Sequence, residues 1–346
     1  MATTESAPAV TATPASEPVP SKAAGPRAAD DGAAGLNDSA WVYRAACATF
    51  VISYLPVVLG AQTTTEGAGM AFPTWPDSDG IGMFFYKFWL ASRDQFLEHS
   101  HRLGGVLIGL AAIGLVAVTH LLTTRRAVRI LAIGCLLAVI IQGLIGGTRV
   151  TENNPALAAV HGFTAALTVA LIGVTACAAS PRWPANGGVA GPHRKTKWLL
   201  AAAAVLLSVQ YIFGGLMRHN VATGLSAQTS HLHNSFITFA VIIAAGVALI
   251  RTRVTWLRRS GITLHAIVTL QMFLGFVTWA KKYGAPSFGL VGDPMAPLTG
   301  YIRSGHMVLG LTLMAAMAVA MARVWHASSA TGNRTEPTLN RSSGKG

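Results

Sequence analysis

Eight apolar stretches divide this chain, and each is about as long as a helix needs to cross a membrane. A spanning helix takes about 20 residues, because each residue advances an α-helix by about 1.5 Å. The stretches run near residues 41–61, 100–122, 127–147, 157–179, 198–217, 229–250, 262–280 and 304–325. This pattern predicts an all-α membrane protein with eight transmembrane helices.

Composition and charge support this fold class and indicate its orientation. The chain is 52% hydrophobic and only 11% charged, which excludes an ordinary soluble enzyme. Its net charge of +13 does not indicate nucleic-acid binding, because the basic residues lie mainly in short loops between spans. Those loops contain Arg125, Arg126, Arg129, Arg182, Arg194, Lys195, Lys197, Arg251, Arg253, Arg258 and Arg259. The positive-inside rule therefore predicts a cell (inner) membrane protein with both termini in the cytoplasm.

The second half of the chain repeats features of the first. Glu98-x-x-His101 opens span two and Gln228-x-x-His231 opens span six, while His161 and His306 open spans four and eight. Two similar four-helix bundles would produce this repeat. We predict a disordered tail at 1–38, an N-terminal half at 39–180 and a cytoplasmic linker at 181–196. A C-terminal half follows at 197–326, and a second disordered tail at 327–346.

Four histidines at corresponding positions are the strongest chemical signal. His101, His161, His231 and His306 each lie near the outer end of an even-numbered span. Neutral imidazole is a common axial ligand of haem iron, and a haem held between helices takes one from each of two facing spans. We therefore expect His101 to pair with His161, and His231 with His306. His233 remains an alternative to His231, since only one of them can face the same site.

Charged residues beside the histidines suggest further roles. Glu98 shares a helix face with His101, so both could address one bound group, and a carboxylate there could move protons or position a substrate. Its counterpart in the second half is Gln228, which suggests that the two sites differ. Arginines recur at the outer ends of the spans, where they could bind haem propionates or simply reach toward the interface; they are Arg102, Arg149, Arg218 and Arg303.

A short Gln-x-x-x-Gly pattern occurs in three of the odd-numbered spans. It begins at Gln142, Gln210 and Gln271 and ends at Gly146, Gly214 and Gly275. Small residues at this spacing favour close packing of membrane helices. We expect the pattern to support packing rather than to contact a cofactor.

Together these motifs resemble the haem A synthase (CtaA) family. The resemblance covers about residues 41–325 and includes the Glu-x-x-His-Arg opening of span two, the single histidines of spans four, six and eight, and the Gly67–Pro76 segment with its Pro-x-Trp-Pro sequence. It implies that the chain oxidises the C8 methyl group of haem O to a formyl group, which makes haem A for cytochrome oxidase. Glu98, His101 and His161 would form the substrate site, and His231 and His306 would bind haem b.

The chain departs from the family pattern in two places. Some family members carry a cysteine pair in the first outer loop, but residues 62–97 contain no cysteine. A disulfide or a thiol-assisted step in that loop is therefore not expected. Leu232 follows His231 where the first half has an arginine, which keeps His233 open as the ligand.

Other functions would use the same histidines. A di-haem electron-transfer protein of the cytochrome b type would hold both haems permanently, and a haem-delivery protein would hold one haem loosely without changing it. The expected partners are haem O, an unidentified electron donor, haem O synthase or oxidase assembly proteins, and membrane lipid. No nucleic acid is expected among them.

Overall fold

The computed structural model describes residues 1–2, 30–183, 194–221, 225–284, 289 and 291–329. Within that part of the chain the regular structure is eight long α-helices and a short 3-10 helix at Phe88–Leu90. The long helices are α1 Asp30–Thr65, α2 Arg93–Leu122, α3 Arg126–Thr151, α4 Pro155–Ala179, α5 Arg194–Arg218, α6 Leu225–Ile250, α7 Thr255–Tyr283 and α8 Pro297–Ser329. All eight are long and apolar enough to cross a membrane, which confirms the predicted helical membrane protein.

The predicted tails and linker lie largely outside the described residues. Of the tail at 1–38, the structure describes residues 1–2 and the helical backbone from Asp30, although the apolar span of α1 begins only at Ala40. Of the linker at 181–196, it describes 181–183 and 194–196, and of the tail at 327–346 it describes 327–329, which continue α8.

Local sequence determines where several helices begin and end. Ser92 starts α2 with a capping box, in which its hydroxyl accepts from the Gln95 amide and the Gln95 side chain accepts from the Ser92 amide. Asn154 starts α4 by accepting hydrogen bonds from two amides of the first turn, and Pro155 follows at the first helical position. Gly284 ends α7 with a φ of 79°, a conformation that favours glycine. These three helix ends therefore follow ordinary capping chemistry.

Consecutive helices are antiparallel, so the odd helices end where the even helices begin. All four candidate ligand histidines lie near that end of the bundle, which we call the histidine end. Arg125 marks the opposite end, where it donates to the carbonyls of Ala178 and Ala179 at the end of α4. Burial lowers the pKa of the Arg125 guanidinium below its ordinary value, although it stays charged at neutral pH.

The two halves share their apolar packing. The larger buried cluster contains residues of α5 to α8 together with Val57 of α1 and Ala166 of α4. Two smaller clusters join α1 to α4. Helices in lipid associate through close packing rather than by excluding water, and fully buried alanines permit that packing; they include Ala46, Ala112, Ala132, Ala166, Ala203, Ala245 and Ala320.

Candidate functional site

Each candidate ligand histidine lies against a glycine of the preceding helix. A methyl group placed at that glycine would come within 3.0 Å or less of the histidine Cε1 atom, whereas ordinary contacts begin at 3.4 Å. The pairs and distances are Gly60 with His101 (2.7 Å), Gly146 with His161 (3.0 Å), Gly214 with His231 (3.0 Å) and Gly275 with His306 (2.9 Å). The repeat seen in the sequence is therefore also a repeat of local structure, with four imidazoles held in equivalent seats.

The first pair of histidines lies at a spacing that suits one shared metal ion. The ring centroids of His101 and His161 are 6.3 Å apart and the ring planes are nearly perpendicular, at 88°. Two axial bonds of about 2 Å each separate the coordinating nitrogens by about 4 Å, so two such rings have centroids roughly 6 Å apart. His101 Nδ1 lies 2.8 Å from the Pro56 carbonyl, which can only accept, so Nε2 is left as the free lone pair.

The second pair lines a cavity of about 740 Å³ at the histidine end. Its volume lies in the usual range for cofactor sites. His231 and His306 both line the cavity, whereas His233 is exposed and does not. The Gln210 amide lies 3.2 Å from His231 Nδ1, and the Gln271 amide lies 3.4 Å from His306 Nε2. Of the two alternatives, His231 is therefore the one that lies beside the cavity.

Three of the four predicted arginines lie near the histidines without a carboxylate partner. The ion pairs of the described residues are Glu66–Arg93 and Glu98–Arg102, and neither includes Arg149, Arg218 or Arg303. Arg218 and Arg303 both line the cavity. Arg218 donates from Nη2 to the Ala61 carbonyl (2.6 Å) and the Thr65 hydroxyl (2.8 Å), while its Nε is buried with no partner in the described structure. The site thus carries positive charge that an anionic group could neutralise.

His219 lies between the two histidine pairs. It lines the cavity of the second half, and its Nε2 lies 3.9 Å from a methyl group placed at Gly162, next to His161. Burial, together with the neighbouring charges of Arg218 and Arg149, lowers the pKa of His219 to about 4. His219 is therefore neutral at physiological pH, and the arginines supply the positive charge of this region.

Glu98 and Arg102 form a buried ion pair that holds backbone, which differs from our expectation. Arg102 Nη2 lies 2.6 Å from Glu98 Oε1, and the two residues are 9% and 1% exposed. Glu98 Oε2 accepts from the amide of Phe72 at 3.1 Å. Arg102 donates to three carbonyls, those of Phe72, Thr74 and Asp77. We expected Glu98 to share a ligand with His101, and Arg102 to bind a propionate. The i,i+4 spacing instead places the two side chains together, and loop backbone supplies their remaining partners.

The ion pair of Glu98 and Arg102 holds the loop at residues 66–92, which we call the first loop. It is anchored on α3 as well as on α2. The Trp75 ring lies so close to Gly147 that a methyl group there would be 2.5 Å from it, and Gly69 lies against the guanidinium of Arg149. The His99 ring stacks on Phe88 of the loop, with centroids 5.1 Å apart. Gly147 directly follows Gly146, the glycine that contacts His161. The first loop is therefore held beside His101 and His161.

The histidine seats are the functional feature that sequence reasoning missed. We expected the Gln-x-x-x-Gly pattern to serve helix packing, but its glycine receives a histidine ring in all three cases. In α1 the same place is taken by Pro56-x-x-x-Gly60, which lacks the glutamine. The sequence did contain a signal for these contacts. Each glycine of the pattern lies on the helix that comes just before the helix of a repeated histidine.

The fold and site define a class of protein: a helical membrane protein with two histidine pairs at one end, each suited to a bound metal cofactor. Residues 82–228 match the family model COX15-CtaA, described as cytochrome oxidase assembly protein. The resemblance noted from sequence is confirmed over this segment, which includes Glu98, His101 and His161 and ends before His231. No curated protein matched the chain.

Proposed function

We propose that this protein is a haem A synthase, which converts the C8 methyl group of haem O to a formyl group. The family match supports the broader statement, a role in cytochrome oxidase assembly. The observation that carries the specific proposal is the contrast between two otherwise equivalent histidine pairs. The first lies beside a loop tied down by a buried ion pair, whereas the second lines an open cavity. A protein with two permanent and equal haems would not need this difference.

The second pair suits a resident haem b. His231 and His306 would hold its iron, and the buried Nδ1 of His306 has no hydrogen-bond partner among the described residues. Arg218 and Arg303 would pair with the propionates, which matches the unpartnered Nε of Arg218. When bound there, haem b supplies one-electron redox chemistry.

The first pair suits the substrate. His101 and His161 would hold the iron of haem O, and Arg149, which has no carboxylate partner within the described structure, would meet a propionate. The first loop would orient the macrocycle and exclude water from the methyl group. With water as the oxygen source, conversion of the methyl group to a formyl group would release four electrons and four protons (CH3 + H2O → CHO + 4 H+ + 4 e−). Both would require acceptors outside the residues described.

Glu98 would act through the first loop. Both of its oxygens are occupied, one by Arg102 and one by the Phe72 amide. Its predicted catalytic role therefore becomes a positioning role, which keeps the loop beside His101. Glu98→Gln should lower haem A output and make the loop more sensitive to protease, while haem b content stays at the wild-type level. Unchanged output would remove Glu98 from the mechanism.

The decisive experiment is mass analysis of haem extracted from cells that produce this chain and a haem O synthase but no haem A of their own. Haem A, or hydroxylated haem O, should appear only when this chain is present. His161→Ala is the matched control, since it should abolish the product and leave haem b in place. Haem b with untouched haem O in the wild-type sample would favour the electron-carrier alternative.

The remaining expectations follow from this proposal. The protein would lie in the cell membrane with both termini in the cytoplasm and the histidine end outward, which reporter fusions at successive loops would test. Haem O synthase is the partner that would supply substrate, and oxidase assembly proteins would receive the product. Co-purification with each, compared with His161→Ala, would show whether the contact depends on bound substrate.

A further inference from the structure

Helices α6 and α7 touch closely at the end away from the histidines. A methyl group placed at Gly261 would lie only 2.6 Å from the Gly246 carbonyl oxygen, which means that the two backbones are in contact. His265 reinforces this crossing, because its ring packs on Gly246 and its Nδ1 lies 2.8 Å from the Gly261 carbonyl. The two helices are therefore held together closely at this end.

At the histidine end the same two helices line the cavity, together with residues of α4, α5 and α8. Some of the side chains that line it are also well exposed: Leu232 and Phe236 on α6 are 41% and 59% exposed, and Phe273 and Phe276 on α7 are 62% and 51% exposed. Each pair is spaced by three or four residues, so it forms a stripe along its helix. In a membrane such apolar stripes face lipid, and these residues also line the cavity, so we call the side of the cavity that they border the gap.

The chemistry of the gap and of the cavity matches an amphipathic, flat, anionic molecule. The gap is apolar and partly aromatic, while Arg218 and Arg303 bring uncompensated positive charge to the cavity. A porphyrin with carboxylates has this division of properties. It can dissolve in the bilayer with its carboxylates at the interface, and those carboxylates are then near the height of the arginines.

Resting on the proposed function, we propose that the second half takes up its haem sideways from the bilayer, through the gap between α6 and α7. The crossing at Gly246 and Gly261 acts as the closed end of the gap, and Leu232, Phe236, Phe273 and Phe276 form its apolar edges. The haem would slide between these edges until its iron lies between His231 and His306, with the carboxylates at Arg218 and Arg303.

Blocking the gap tests this route. Phe236→Cys in haem-free protein in lipid nanodiscs would be labelled with a bulky maleimide and then mixed with vesicles containing haem. Uptake would be followed as growth of the Soret band. The matched control is labelled Ile237→Cys, because Ile237 is 55% exposed on the same helix and does not line the cavity. We expect the label at 236 to stop uptake and the label at 237 to leave its rate at the unlabelled value.

Widening the gap gives an independent test that does not depend on labelling. Phe236→Ala with Phe273→Ala should speed the loss of bound haem to a haem-scavenging globin severalfold, whereas Ile237→Ala with Ile262→Ala should not. If neither the label at 236 nor the double alanine variant changes the rates of haem uptake and loss, the lateral route is wrong. The proposed function would not be affected by that result. Failure of the unlabelled wild-type protein to bind haem with the spectrum of two histidine ligands would overturn both.

Discussion

A single methyl group added at Gly146 should weaken haem binding in the first half, although it should favour the helix itself. Gly146 lies inside α3, where glycine is about 1 kcal/mol less favourable than alanine. By local propensity alone, Gly146→Ala would therefore stabilise the protein. The structure predicts the opposite for the site, because the new methyl carbon would lie 3.0 Å from His161 Cε1 and 3.4 Å from its Nδ1.

The size of the effect follows from this distance. An ordinary contact needs at least 3.4 Å, so the His161 ring must retreat by about 0.4 Å, the difference between 3.4 and 3.0 Å. Metal–ligand distances tolerate about 0.2 Å, which is half of that movement. Overpacking of this kind costs about 1–3 kcal/mol. We expect a loss of about 1–2 kcal/mol in haem affinity, which is roughly a 5- to 30-fold weaker Kd.

The measurement is a haem titration of purified protein in nanodiscs, followed by its absorption spectrum, with haem b already bound in the second half. Gly143→Ala is the control, since it lies on the same helix and a methyl group there meets nothing within 4 Å. It should leave the Kd unchanged. Equal affinity of the two variants would refute the reasoning, because His161 would then neither lie in its glycine seat nor bind the metal as its ligand.

Three further predictions concern the loop, the second ligand pair and pH. Gly147→Ala would place a methyl group 2.5 Å from the loop tryptophan, so the first loop should detach and become a protease target while haem b content stays normal. His231→Ala should deplete haem b, and His233→Ala should not; the reverse result in a pyridine haemochrome assay would reassign the ligand. The hydrogen bond from Arg93 lowers the pKa of Glu66, so this pair contributes to stability above the ordinary carboxyl pKa and loses that contribution as pH falls through the lowered value. The thermal midpoint of wild type should approach that of Glu66→Gln in acid; parallel curves at all pH values would exclude a contribution of the pair.

The eight helices and the repeated histidines could be predicted from sequence because both depend on local or periodic information. A span is recognised by its length and apolar composition, and all eight predicted spans agree with helices of the structure. The pairing of His101 with His161 followed from the repeat, which places both histidines in the first four-helix half. The preference for His231 over His233 rested only on the repeat, and the cavity now supports it from geometry.

The partners of Glu98 and Arg102 could not be predicted in the same way. Their i,i+4 spacing brings the two side chains together, but their other partners are backbone atoms of the first loop, more than twenty residues away. Backbone atoms are the same at every residue, so the sequence gives no pattern from which the position of a loop backbone could be predicted. The role of Gly147 as the place where Trp75 rests was hidden for the same reason.

The sequence by itself determined the class of structure, the number of spans and the residues able to bind a metal, because hydrophobic length and side-chain chemistry are properties of the chain. Only the tertiary structure decided which groups face each other. It placed a glycine against every candidate ligand, paired Glu98 with Arg102 and the Phe72 amide, and brought residues of α6 and α7 to one cavity at the histidine end. These outcomes depend on how helices cross and where loops rest, which are set by packing between distant segments.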